Sequence, residues 1–146
     1  MTIIKPTIEY VEPMTVVGLS MRTNNRNESN PQTAKIAVLW QHFYSSFATA
    51  DMPLFGVYSD YEADADGFYT VTVGQLIVES TSKCQIIVPG NYLVFRGNGP
   101  MPTLIIDLWR QIWRYFAGKN NDQRLFATDF ERYTTPEQVA IYIGVK

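Results

Sequence analysis

Glu131 is the residue of this chain whose setting most demands a chemical explanation. It lies in the run Arg-Leu-Phe-Ala-Thr-Asp-Phe-Glu-Arg-Tyr at residues 124–133, an acid inside an aromatic-rich stretch with strand periodicity. Alternation at period 2 sends Leu125, Ala127, Asp129, Glu131 and Tyr133 to one face, and Phe126, Thr128, Phe130 and Arg132 to the other. A carboxylate among such neighbours must find a positive partner, change its pKa, or wait for a ligand. Local spacing obliges no Lys or Arg to pair with it, since adjacent Arg132 points to the opposite face. Two readings are open: a site for something cationic, or a salt bridge to Arg124 or Arg114.

Other chemistry finds less support. His42 is the only histidine, and no Gly-x-Ser-x-Gly elbow is present to seat a nucleophile beside it. The single cysteine, Cys84, leaves no internal disulfide and no multi-cysteine zinc site, and reads as an inert buried thiol in a reducing compartment. Asp60, Glu62, Asp64 and Asp66 cluster, but their spacing is too loose for a calcium loop and suits a solvated turn. No metal and no cofactor is expected.

The elements that must position Glu131 come from one domain. A chain of 146 residues can bury roughly two thirds of its unfolded surface around a single core. A net charge of −2 lacks the footprint of a protein that neutralises many phosphates, so nucleic acid is a poor direct partner. No apolar run is long enough to span a membrane and the first residues do not resemble a secretory signal, so a cytoplasmic protein is expected.

Residues 7–22 read as extended chain with Pro13 at a turn or edge, and residues 23–30 as a mobile polar loop. Pro31 and Thr33 open a helix to about Ala50, with a stripe of Ile36, Trp40, Phe43 and Phe47 widened by Leu39 and Tyr44. Strands at 54–62 and 68–79 flank the acidic turn as a hairpin. Residues 80–83 form a polar break, and residues 84–95 a strand pair or bent strand around Pro89-Gly90. A second helix runs over 103–118 with Ile105, Leu108, Trp109, Ile112 and Phe116 on its stripe and Gly118 as its C-cap. A loop at 119–123, the Glu131 strand, and a last strand at 139–145 complete the chain.

The halves repeat at a period of about seventy residues. Leu39-Trp40 answers Leu108-Trp109, Leu54-Phe55 answers Leu125-Phe126, and residues 70–74 answer 140–144. Asp60 then falls opposite Glu131. The expected fold is α+β: two strand-helix-strand-strand units, about 3–79 and 84–146, sharing one antiparallel sheet with both helices on one side and a ligand groove at the junction.

Leu-Phe-Gly-Val-Tyr-Ser-Asp-Tyr-Glu at 54–62, the Trp109-Arg-Gln-Ile-Trp113 helix, Thr-Asp-Phe-Glu131-Arg-Tyr133 and the closing Ile-Tyr-Ile-Gly together resemble the gyrase-inhibitor-like effector-binding domain. That family includes the ligand domains of AraC-type and MerR-type multidrug regulators. The likeness runs from about residue 3 to 146 and is strongest to stand-alone members carried on integron cassettes, which are similar to cationic-drug-binding proteins. It implies a pocket in which Glu131 meets the positive charge of a lipophilic cation. By similarity Trp40, Phe55, Leu104 and Tyr133 line that pocket; Phe43, Tyr58 and Trp109 complete the expected set. Gly144 stands where many relatives carry proline, a change expected to be harmless. With no helix-turn-helix in the sequence, a transcriptional role would need a DNA-binding partner.

A flat aromatic cation burying about 300 Å² of apolar surface would gain on the order of 7 kcal/mol at roughly 25 cal/mol per Å², before the cost of association. Micromolar binding is the expectation. The resemblance also implies two rivals: hydrolysis of electrophilic aromatic substrates with Glu131 and Tyr133 or Tyr58 as base and acid, and inhibition of a gyrase-like enzyme by contact.

Overall fold

The computed structural model describes residues 2–46, 52–64, 66–76, 84–118 and 123–146. Its elements are β1 (Thr2–Val11), β2 (Met14–Thr23), α1 (Asn25–Glu28), α2 (Ile36–Ser46), β3 (Leu54–Ser59), β4 (Tyr69–Leu76), β5 (Cys84–Ile87), β6 (Gly90–Asn98), α3 (Thr103–Ala117), β7 (Arg124–Thr135) and β8 (Gln138–Val145). The strands form one antiparallel sheet in the order β1-β6-β8-β7-β3-β4-β2-β5, an α+β fold as expected. Outward from the central β3–β7 seam, β4 matches β8, β2 matches β6, and β5 matches β1. Each half therefore contributes one strand more than strand-helix-strand-strand, and lays that leading strand on the outer edge of the other half.

Residues 7–22 are extended on either side of a turn at Pro13, as expected, while the crossover corrects the reading of residues 84–95 as a strand pair. β1 pairs with β6, and β5 with β2, so neither leading strand pairs with its sequence neighbour. Pro13 and the Val88-Pro89 step are corners between distant sheet positions. The sheet curls enough for the Val88 amide to reach Thr128 Oγ1 on β7 at 3.2 Å.

Period 2 sorts each strand onto two faces. Leu93, Phe95, Val139, Ile141 and Ile143 pack under Leu104, Leu108 and Ile112 of α3. Phe43 of α2 packs with Tyr58, Tyr69, Val71 and Val73 on the same side of the sheet. The opposite face carries Val16, Phe55, Val57, Tyr92, Val94 and Phe130. Burying both faces follows from the near-continuous apolar runs of β6 and β8, where alternate residues each find a core.

Several boundaries differ from expectation. Residues 25–28 form α1, whose first turn is closed by the Asn24 side chain accepting the Asn27 amide at 2.7 Å. The expected mobile loop thus contains a capped helix. α2 begins at Ile36 because Glu28 caps it: Oε1 and Oε2 accept the Lys35 amide at 3.1 Å, and Oε1 the Ile36 amide at 3.0 Å. β3 stops at Ser59, where Asp60 turns with φ 51°. Gly118 closes α3 with an extended backbone, φ −83° and ψ 179°, instead of a left-handed one. The end of the first helix with Phe47, the strand end at Glu79, the break at 80–83, residues 119–122 of the loop and the side chain of Cys84 lie outside what is described.

Candidate functional site

α2 and α3 cross the same face of the sheet on either side of the β3–β7 seam, and the gap between them is a cavity of about 410 Å³. At the seam Gly56 pairs with Glu131, Tyr58 with Asp129 and Leu54 with Tyr133. Glycine at 56 is what lets the floor close: a Cβ there would stand 3.0 Å from Glu131 Oε1 and 3.2 Å from Trp40 Cζ2. α2 contributes Ile36, Ala37 and Trp40 to the lining, and α3 contributes Ile105, Ile106, Trp109 and Trp113.

Glu131 is 3% exposed and accepts three hydrogen bonds. Tyr58 Oη and Trp109 Nε1 donate to Oε2, each at 2.7 Å, and Tyr133 Oη donates to Oε1 at 2.8 Å. The carboxylate is thus tied at once to β3, α3 and its own strand. Burial raises its pKa above the ordinary carboxylate range, and the bonds from Trp109, Tyr58 and Tyr133 pull part of the way back. Burial, followed by the facing carboxylate, holds both the Tyr58 and Tyr133 phenols well above the usual range. These tyrosines stay protonated donors.

Asp129, two residues earlier on the same face, has a different fate. Arg124 Nη2 bonds its Oδ2 at 2.7 Å, Tyr61 Oη donates to the same oxygen, and the Gly144 amide reaches Oδ1 at 2.8 Å. Arg124, one of the partners expected for Glu131, is spent on Asp129. Among the described residues no ion pair includes Glu131 or Arg114. Gly144 also matters more than expected, since a proline there would lack the N–H that Asp129 accepts.

Of the eight residues expected at the site, the structure brings Glu131, Trp40, Tyr58, Trp109 and Tyr133 to the cavity. Trp40 meets Tyr133 edge-on at 5.4 Å between centroids, and Tyr58 meets Trp109 likewise at 5.3 Å. Phe43, Phe55 and Leu104 are corrections. Phe55 has the parity opposite to Tyr58 and packs against Phe130 on the far face, their rings tilted at 6.1 Å between centroids. Leu104 joins Leu108 and Ile112 at steps of four against the sheet, leaving Ile105, one residue on, to face the cavity. Phe43 turns under α2 onto β4.

Phe126 is corrected as well. It has φ 55°, and the β7–β8 register slips between Arg124 and Asp129, so alternation holds only from Thr128 onward. Its ring meets Tyr61 at 5.5 Å and lies 4.4 Å from the Arg124 guanidinium instead of turning to the far face. Phe130 does face away, stacked on Tyr142 at 4.3 Å. Asp60 and Glu62 are exposed, as the solvated reading expects, and Asp60, the repeat equivalent of Glu131, is not among the residues lining the cavity.

Sequence reasoning missed Tyr61, Tyr69, Trp113, Glu28 and Arg124 as lining residues. Trp113 was legible as the residue one turn beyond Trp109, and Tyr69 as the start of the Tyr69, Val71, Val73 alternation. Tyr61 follows the left-handed turn at Asp60, which no spacing rule predicts.

A curled sheet carrying two helices with an aromatic, acid-floored cavity between them defines a ligand-binding protein. The chain belongs to the integron-associated effector binding proteins, the Cass2 family, which it matches over residues 7–145. The integron cassette protein VCH_CASS2, from the mobile metagenome of Vibrio cholerae, is 35% identical with a TM-score of 0.90, over 97% of this chain and 95% of that one. SAV2435, solved with tetraphenylphosphonium bound, shares the fold at 19% identity and a TM-score of 0.75, over 98% and 94% of the two chains. YobU of Bacillus subtilis (strain 168), whose name assigns it provisionally to transcriptional regulation, is 29% identical across 95% of this chain and 96% of its own. No described helix is long and apolar enough to cross a membrane.

Proposed function

We propose that this chain binds lipophilic, aromatic organic cations in the cavity between α2 and α3, with Glu131 as their counter-charge. The observation that carries the reading is a 3%-exposed carboxylate on the floor of an aromatic cavity, held by three neutral donors and by no cation. Neutral donors stabilise the charge by roughly 1.5–3 kcal/mol each but do not cancel it. A cation entering the cavity supplies what the protein withholds, and the surrounding indole and phenol faces add roughly 0.5–2 kcal/mol of cation–π attraction. The tetraphenylphosphonium held by the fold relative SAV2435 is a ligand of this chemical type.

The same geometry argues for binding over hydrolysis. A general base must take a proton from water or substrate, whereas both oxygens of Glu131 already receive hydrogen bonds from groups whose own pKa values are raised. In this reading any regulatory role runs through a separate DNA-binding protein. Both longer described helices are packed on the sheet, and the net charge of −2 gives no overall cationic excess to draw a phosphate backbone.

Thermal-shift screening tests the reading. Cationic dyes such as rhodamine-like or quaternary ammonium compounds are expected to raise the melting temperature, anionic dyes of similar size to leave it unchanged, and Glu131→Gln to abolish most of the cationic response. Equal stabilisation by both charge classes would remove the electrostatic basis of the proposal.

A further inference from the structure

The cavity has a second polar wall that the counter-charge role of Glu131 does not use. The Arg124 side chain lines it, is 8% exposed, and commits only Nη2 to Asp129. Its Nε is buried with no hydrogen-bond partner. Guanidinium offers five N–H donors in a fixed planar fork, so one bond to Asp129 leaves most of that capacity open. The group is held in place by the Phe126 ring at 4.4 Å and by rings of Tyr61 and Phe116 at 5.9 Å, which restrict its rotation. Asp129 and Glu131 project from one face of β7, two residues or about 7 Å apart along the strand. An acid without a cation and a guanidinium with unused donors thus line one cavity.

We infer that Arg124 is a carboxylate-recognition subsite, and that the cavity selects aromatic cations carrying a carboxylate that meets Arg124 while Glu131 binds their positive charge. This deepens the cation-binding reading and rests on it. Glu131 takes the positive end; Arg124 donates to the acceptor through N–H groups that Asp129 does not occupy. Asp129 keeps the guanidinium oriented and makes the local charge neutral, so an acceptor gains a directed charge-assisted hydrogen bond without the cavity becoming anion-binding as a whole. A cation lacking the acceptor leaves donors of a buried guanidinium unpaired, which penalises it.

The test compares a xanthylium dye bearing a free carboxylate with its ethyl ester, both titrated into the full chain by fluorescence anisotropy. Wild type is expected to bind the free acid about 10-fold more tightly than the ester, as a charge-assisted hydrogen bond would give. Because Arg124→Gln alone strands the buried Asp129 carboxylate, the variant used is the double substitution Arg124→Gln with Asp129→Asn, which removes both charges together. There the acid-to-ester affinity ratio is expected to fall to one or below. A wild-type ratio of one or less, or a ratio unchanged in the double variant, would overturn the subsite and leave Arg124 as a neutraliser of Asp129 alone. The ester separates this from the underlying reading: ester binding that Glu131→Gln weakens upholds cation binding whatever the ratio, and ester binding indifferent to Glu131→Gln overturns that reading.

Discussion

Replacing Glu131 by glutamine removes one charge and almost no volume, and the hydrogen-bond network can absorb it. The amide oxygen placed at the Oε2 position still accepts from Tyr58 and Trp109, while the amide nitrogen faces Tyr133 Oη, which turns from donor to acceptor. The fold is therefore expected to persist, and apo stability at neutral pH to hold or rise, since an uncompensated buried charge has been removed. Ligand binding is different. A cation about 4 Å from the carboxylate at an effective dielectric near 20 gains on the order of 4 kcal/mol, an upper bound once the ligand's own desolvation is deducted. A loss of about 2–4 kcal/mol follows, or roughly 30- to 700-fold in Kd. Isothermal titration calorimetry of wild type and variant with a cationic xanthylium ester reads this directly, with a neutral analogue of equal size as the reference. A change below about threefold, or an equal loss for the neutral analogue, would refute the assignment of Glu131 as counter-charge.

Three further outcomes follow from the same geometry. Because burial raises the Glu131 pKa, between the ordinary carboxylate range and the raised value the ligand-free folded state keeps a proton that the unfolded chain has released; the stability from this group is present below the ordinary range and lost as pH rises through the raised value. Cation affinity runs the other way, weakening as pH falls through that raised value by about tenfold per unit, and Glu131→Gln should flatten a Kd profile taken from about pH 8 to pH 4. Gly56→Ala pushes a methyl against Glu131 Oε1 and Trp40, so thermal or denaturant unfolding should show a loss of about 1–3 kcal/mol, and an unperturbed melting temperature would contradict the packing described. Leu104→Ala should lower stability by about 2–4 kcal/mol while the folded fraction binds ligand with under about a twofold change; a selective loss of affinity would return Leu104 to the lining.

How much of this was legible in the sequence depends on which interaction wrote it there. Alternation from Thr128 to Tyr133 placed Glu131 and Tyr133 on one face, while helical spacing gave Trp40 and Trp109 only as members of apolar stripes and the family likeness carried them to the pocket. The same alternation, carried back from Tyr58, puts Phe55 on the far face; the family likeness argued otherwise, and backbone geometry decides. Leu104 shows the limit of a helical stripe, which one residue's 100° rotation divides between sheet and cavity. The crossover of β1 and β5 onto the opposite half could not be read, because period 2 states that a strand is half-buried and not which strand it joins. Capture of Arg124 by Asp129 instead of Glu131 depended on the register slip at residues 124–129, a bulge that conceals itself in an apparently regular alternation.

Titration calorimetry of the wild-type chain with tetraphenylphosphonium and with tetraphenylborate isolates the central claim, because the two ions share shape and aromatic surface and differ in the sign of their charge. The account predicts micromolar binding of the phosphonium and no measurable heat with the borate. Comparable affinity for both, or preference for the borate, would show that the cavity selects greasy aromatic shape and that Glu131 contributes no choice of charge.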